Sequence, residues 1–120
     1  MTKRVLLSSQ EKDTLRYKLE ADLTTKVKEW LDVQRDVAWY KASDRYHKGI
    51  SDCIINCCGF FIAAELKADD GEPTPHQNLF IKQNVGVGGI GGVCYTLGEV
   101  KALVQVAREK NIKMRCTTTK

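Results

Sequence analysis

Hydrophobic positions along this chain switch between a helical period and a strand period, and the switches divide it into elements. Leu15, Leu19, Leu23, Val27 and Leu31 recur at every fourth residue, the spacing of one face of an amphipathic helix. Ser8 followed by Glu11 has the form of a capping box that would open this helix. Val37-Ala38-Trp39-Tyr40 reads as a first strand. The run from Gly49 to Lys67 changes character: Cys53-Ile54-Ile55 and Phe60-Phe61-Ile62-Ala63-Ala64 are apolar and rich in β-branched or aromatic residues, and between them lies the short turn-forming Asn56-Cys57-Cys58-Gly59. That is the sequence form of a β-hairpin. Thr74-Pro75-His76-Gln77 then announces a helix, with Thr as N-cap, Pro at the first helical position and Gln completing the box. The glycines of 86–92 read as a helix stop and flexible connector into a strand Val93-Cys94-Tyr95. A dinucleotide-binding loop would have to leave a strand and open a helix, the reverse of this order. Thr96 with Glu99 caps a last helix carrying Val100, Leu103, Val104 and Ala107 on one face, and the polar tail after Asn111 is expected to fray.

The hairpin carries the chemistry. If Cys58 and Gly59 form a two-residue turn, Cys57 faces Phe60, and equal steps outward place Asp52 opposite Glu65. Directly opposed side chains lie about 4.5–5.5 Å apart at Cβ, where like charges repel, so the pair calls for a cation between them. Alternation puts Lys67 on the face of Glu65. Hard cations such as Mg²⁺ take carboxylate oxygen and keep several waters, and a nearby Lys can orient or deprotonate an attacking water and stabilise developing phosphate charge. This is the equipment of phosphodiester hydrolysis. The register depends on the turn, however, and the same spacing describes an exposed hairpin face with a Glu-x-Lys salt bridge.

The order Asp52, then Glu65-Leu66-Lys67, then Gln77 resembles the PD-(D/E)xK nuclease signature, and its surroundings resemble the viral-type replication-repair nuclease (VRR-NUC) branch. That branch has an acidic residue on an early helix, a Gly-x-Pro-Asp strand start, an apolar strand ending in Glu-x-Lys and a helix opening with Gln. The matching positions are Glu20, Gly49 with Asp52, Glu65 with Lys67, and Gln77; Ser51 stands where the family usually has Pro. The resemblance runs over most of the chain. It implies an α/β restriction-endonuclease-like fold with a small mixed β-sheet flanked by α-helices, and the function of a metal-dependent DNA endonuclease. It implies further that Asp52, Glu65, the backbone carbonyl of Leu66 and Glu20 hold Mg²⁺ or Mn²⁺, that Lys67 positions or activates water and that Gln77 orients the group. From the residues alone, Glu20 lies on the shoulder of the apolar stripe, where a solvated flank residue pairing with Thr24 or Arg16 is the simpler reading, and capping by itself accounts for Gln77.

Length and composition set the remaining bounds. The 120 residues suit one domain with a single core. A net charge of +4 suits an acidic partner such as DNA without requiring one. Lys41, Arg45 and Lys48, with Tyr46 among them, are candidates for contacts to phosphates and a base or sugar, although a mobile charged loop has the same composition. Asp69 and Asp70 read as loop acids. No apolar run approaches the roughly 20 residues of a membrane span, and Val5-Leu6-Leu7 is too short for a signal-peptide core, so an intracellular protein without a membrane partner is expected, in a host cell's cytoplasm or encoded by a virus acting there. The five cysteines are an odd number in mostly apolar settings, which buried thiols explain; a zinc site drawing on Cys57, Cys58, Cys116, His47 and His76 is the sharper reading, but no Cys-x-x-Cys pair exists. Two other function classes remain: a non-catalytic DNA-binding or assembly module on the same scaffold, and a zinc-stabilised interaction module. Stand-alone domains of this branch resemble junction resolvases in using paired subunits, which implies a homodimer acting on four-way (Holliday) junctions, with Trp30, Trp39 and Phe80 as contact candidates or ordinary core residues.

Overall fold

The computed structural model describes residues 9–42 and 51–118, with side chains described for 11–42 and 51–116. The order of elements is α1 (Ser9–Thr14), α2 (Glu20–Asp32), β1 (Val37–Lys41), β2 (Cys53–Cys57), β3 (Phe60–Leu66), α3 (Pro75–Gly86), β4 (Ile90–Cys94) and α4 (Leu97–Thr118). The strands form one sheet in the order β1-β2-β3-β4; β1, β2 and β3 pair antiparallel, while β4 joins β3 in parallel. A parallel neighbour needs a crossover, and α3 supplies it. The small mixed sheet flanked by helices is the α/β architecture that the resemblance implies.

Local chemistry sets the hairpin. Cys58 and Gly59 both have positive φ, 57° and 89°, the backbone of a type I′ turn whose twist matches that of the flanking strands. Asn56 Oδ1 accepts the Gly59 N–H at 2.9 Å and closes the turn. The register that follows pairs Cys57 with Phe60 and Cys53 with Ala64, so the next step out opposes Asp52 and Glu65, as the two-residue turn requires. Strand alternation then divides the sheet residues between two faces. Cys53, Ile55, Cys57, Ile62, Ala64 and Leu66 join Leu23, Val27 and Leu31 of α2 and Val100, Val104 and Ala107 of α4 in the buried cluster. Ile54, Ala63 and Glu65 belong to the other face, where α3 lies so close that a Cβ on Gly91 would come within 3.2 Å of Ile81 Cγ2.

Several sequence expectations need correction. The Leu15–Leu31 stripe is not one helix. The chain leaves helix after Thr14 and re-enters at Glu20; Leu19 is extended (φ −111°, ψ 131°) and caps α2 without a side-chain hydrogen bond. Leu15 and Leu19 are exposed, while Leu23, Val27 and Leu31 are buried. Contacts distant in sequence account for the break: Lys101 Nζ holds Asp13 at 2.7 Å, the Asp69 N–H donates to the Tyr17 carbonyl at 3.0 Å, and Arg16 lies over the Tyr95 ring. The Ser8 end of the expected capping box lies outside the described residues. The glycine-rich connector also ends earlier than expected, since β4 starts at Ile90 and includes Gly91 and Gly92. The last helix does not stop at Asn111 but runs to Thr118. Trp30 and Trp39 pack against the core, and Trp39 Nε1 donates to Asp32 Oδ1 at 2.9 Å, so both fit the packing reading rather than the contact reading.

Candidate metal centre at the open end of the hairpin

The turn fixes the register, and the register carries Asp52 and Glu65 to the end of the hairpin away from Cys58-Gly59. There the Asp52 N–H donates to Glu65 Oε2 at 3.2 Å. Glu65 is fully buried, and its other oxygen, Oε1, has no hydrogen-bond partner among the described residues. Among the described residues Lys67 Nζ pairs with it at 3.6 Å, which puts Lys67 on the face of Glu65 but leaves the oxygen short of a hydrogen bond. A buried carboxylate oxygen without a partner is costly unless something else satisfies it.

The break before Glu20 brings in the third acid. As the first residue of α2, Glu20 projects from the helix start towards Asp52, and one carboxylate oxygen from each of Glu20, Asp52 and Glu65 lies within 4.8 Å of the others. Burial, then the negative charge of Asp52 and its side-chain hydrogen bond, pushes the Glu65 carboxyl up to about 8 from its ordinary 4.5. Burial likewise raises Glu20, helped by a hydrogen bond to Asp52 and by its charge; the charges of Lys67 and Lys41 oppose the rise. Crowding of acids in a poorly solvated place produces these shifts, and a divalent cation would reverse them.

Glu20, Ala21, Thr24, Lys41 and Asp52 line an open cleft beside this group, and Thr24, Lys41 and Asp52 also border an adjoining recess with Val27, Trp39, Cys53 and Leu66. Lys41, the last residue of β1, therefore stands at the carboxylates rather than only in a flanking basic loop. Arg45 and Lys48 lie outside the described residues, as do Gly49, Tyr46 and His47. Leu66 ends β3 between Glu65 and Lys67, so its backbone belongs to the same corner. Gln77 completes its capping box: Oε1 accepts the Thr74 N–H at 2.8 Å and its own N–H donates to Thr74 Oγ1 at 3.1 Å. Among the described contacts none joins it to the carboxylates. Asp69 and Asp70 line a separate depression with Arg16, Glu72 and Tyr95.

Two neighbours were named from sequence without a place at the site. Thr24 lies one helical turn after Glu20 and donates its hydroxyl to the Glu20 carbonyl at 2.9 Å; its i+4 spacing was the available signal. Ser51, which stands where the family usually has Pro, is fully buried next to Asp52, and among the described residues its hydroxyl oxygen has no partner.

No family model matches this chain, and no curated protein matches it. A solved structure titled "VRR_NUC domain" does, with a TM-score of 0.61 over 72% of this chain and 94% of that one, at 22% sequence identity. The chain has the VRR_NUC fold. The match extends the sequence resemblance to the path of the backbone, and in this VRR_NUC fold the end of the central hairpin is where the three acids converge. Among the described residues, no helix is long and apolar enough to cross a membrane.

Proposed function

We propose that this chain is a divalent-metal-dependent endonuclease that hydrolyses phosphodiester bonds in DNA. The observation that carries the reading is the convergence of Glu20, Asp52 and Glu65 around a buried oxygen with no partner, beside Lys67. The donor set is all oxygen and anionic, the chemistry that suits Mg²⁺ or Mn²⁺. Asp52, Glu65 and the Leu66 carbonyl would hold the ion, with Glu20 supporting it or a second one. Bound there, it would supply Lewis-acid polarisation of the phosphoryl group. Lys67 is held at the carboxylates by the strand and is only slightly exposed; it orients the attacking water, accepts its proton when neutral or stabilises charge developing on the phosphate when protonated. Lys41, with Arg45 and Lys48, binds phosphates flanking the scissile bond. Gln77 fixes the start of α3 through its capping box with Thr74.

The finer reading is structure selectivity. A homodimer would present two equivalent sites, matching the two symmetric strands of a four-way junction. With the tryptophans packed against the core, Phe80 remains of the contact candidates, half-buried on α3, where Leu79 and Val85 are exposed. Incubation with linear, flapped and four-way DNA, with Mg²⁺, Mn²⁺ or EDTA, tests both levels. Cleavage with either metal, none with EDTA and paired nicks favouring the junction are expected. DNA binding without cleavage in every metal would favour the non-catalytic module, and equal cutting of linear and branched DNA by a monomer in light scattering would remove the junction reading.

A further inference from the structure

At the opposite end of the hairpin, the turn residues Cys57 and Cys58 meet Asp36 from the loop before β1. The three ligand atoms form an equilateral triangle: Cys57 Sγ to Cys58 Sγ, Cys57 Sγ to Asp36 Oδ2 and Cys58 Sγ to Asp36 Oδ2 are each 3.8 Å. A tetrahedral zinc ion with Zn–S of about 2.3 Å and Zn–O of about 2.0 Å spaces two sulfurs about 3.8 Å apart and a sulfur and an oxygen about 3.5 Å apart. The triangle therefore has nearly the size of three corners of a zinc tetrahedron before any ion enters it. Backbone constraints hold it: Cys58 is kept at positive φ in the turn, and its N–H donates to the Asp36 carbonyl at 3.2 Å.

The charges also close. Arg108 from α4 donates from Nε to Asp36 Oδ2 at 2.8 Å and from its terminal nitrogen to Asp36 Oδ1 at 2.9 Å. Two thiolates, one carboxylate, one guanidinium and a dication sum to zero, and a carboxylate that coordinates through one lone pair can still accept a hydrogen bond through another, the usual outer-layer support of a metal ligand. We propose that Cys57, Cys58 and Asp36 form a thiolate-rich site for a soft divalent cation of the zinc class, with a water in the fourth position and Arg108 as the charge-balancing support. Binding releases the two thiol protons to solvent; no electron moves. The ion would tie β1, the hairpin turn and, through Arg108, α4 into one unit. This site differs from the zinc set considered from sequence: Cys116 is exposed on α4, His76 is exposed on α3, His47 lies outside the described residues, and an aspartate takes the third position.

The test uses the full chain, fully reduced, with excess Mg²⁺ present to occupy the carboxylates. Titration with Co²⁺ should give a thiolate-to-cobalt charge-transfer band that saturates at one equivalent and is displaced by Zn²⁺. The band should vanish in Cys58→Ser and persist in Cys116→Ser and Glu65→Gln. A reduced wild type that shows no such band, or a Cys58→Ser protein that keeps it, overturns the site. If Cys58→Ser does not fold, alkylation of the wild type followed by mass spectrometry decides: one equivalent of Zn²⁺ should slow modification of Cys58 at least about tenfold and leave Cys116 within about twofold, because a metal-bound thiolate is withdrawn as a nucleophile. Equal rates with and without Zn²⁺ at Cys58 reject the proposal.

Discussion

The two ends of the central hairpin each gather three side chains able to ligate a metal, yet their carboxyl groups are shifted in opposite directions. At the open end, burial and mutual repulsion raise the carboxyls of Glu65 and Glu20. At the turn end, the Arg108 hydrogen bonds hold Asp36 below the usual carboxylate range. Arg108 is a fork of donors that satisfies both oxygens of Asp36, whereas Lys67 is a point charge set 3.6 Å from an oxygen it does not bond. Proximity of ligands alone therefore does not distinguish sites; what differs is how the carboxylates are compensated, since the Cys57 thiol at the turn end is also pushed up, to about 12, chiefly by burial. One end has a guanidinium hydrogen-bonded to its carboxylate and donors soft enough for a thiophilic ion, and the other has hard oxygen donors with a lysine beyond hydrogen-bond distance of Glu65 Oε1.

The largest expected effect concerns chemistry. Lys67→Ala should abolish cleavage while leaving DNA affinity within about tenfold, since a single cationic contact is a small part of a salt-dependent total. Cleavage at the wild-type rate, measured in single turnover, would remove Lys67 from the mechanism and with it the functional asymmetry of the two ends.

Metal binding should come next in size. Mg²⁺ or Mn²⁺ at a hundredfold excess over Kd should stabilise the protein by about 2.7 kcal/mol by mass action, and Asp52→Asn should erase the effect. Equal metal binding by calorimetry in wild type and Asp52→Asn would place the ligands elsewhere.

The pH dependence sharpens the contrast further. Glu65 keeps its proton up to about 8 in the folded, metal-free chain but loses it near 4.5 when unfolded. Its contribution is fully present below the unfolded value and is lost as pH rises through the folded one, so metal-free stability should fall across that window. Glu65→Gln should flatten the fall in thermal melts and raise the metal-free midpoint at the alkaline end. Added Mg²⁺ should stabilise wild type more at the alkaline end than at the acid end, because binding requires the ionised acids. A melt series in which Glu65→Gln keeps the full slope would mean that another group titrates.

The smallest effect belongs to the end that already has its cation. Arg108→Ala should cost about 1 kcal/mol, the upper range for a pair this open to solvent. The loss should be seen above the ordinary Asp36 range and shrink as pH falls through the folded Asp36 pKa, since a depressed carboxyl stabilises only while ionised. A denaturant midpoint unchanged at neutral pH would show that the guanidinium contributes nothing net there.

Much of this architecture was legible because its causes are local. Cys58-Gly59 supplies the positive φ of a type I′ turn, and from that point a period of two leaves only one partner for Asp52 and one face for Lys67. Thr74, Pro75 and Gln77 sit within one turn of each other and could be read as a cap without knowing what α3 packs against. The α/β class, with its small mixed sheet flanked by helices, was what the family resemblance implied.

What the chain could not declare by itself depended on contacts between distant segments. The regular leucine spacing continued through Leu15 and Leu19, but Lys101, Tyr95 and Asp69 anchor Asp13, Arg16 and Tyr17, the chain leaves helix over 15–19, and that break is what sets Glu20 at a helix start facing Asp52. Asp36, the Cys57-Cys58 turn and Arg108 likewise meet only when α4 crosses the sheet. Short-range rules act over a turn or a strand step and propagate along the backbone. Charge compensation and burial are properties of the packed whole, so the sequence by itself determined the hairpin and the acids it opposes, and only the tertiary structure decided that a guanidinium would hydrogen-bond the acid at one end while Glu20 joined the crowded acids at the other.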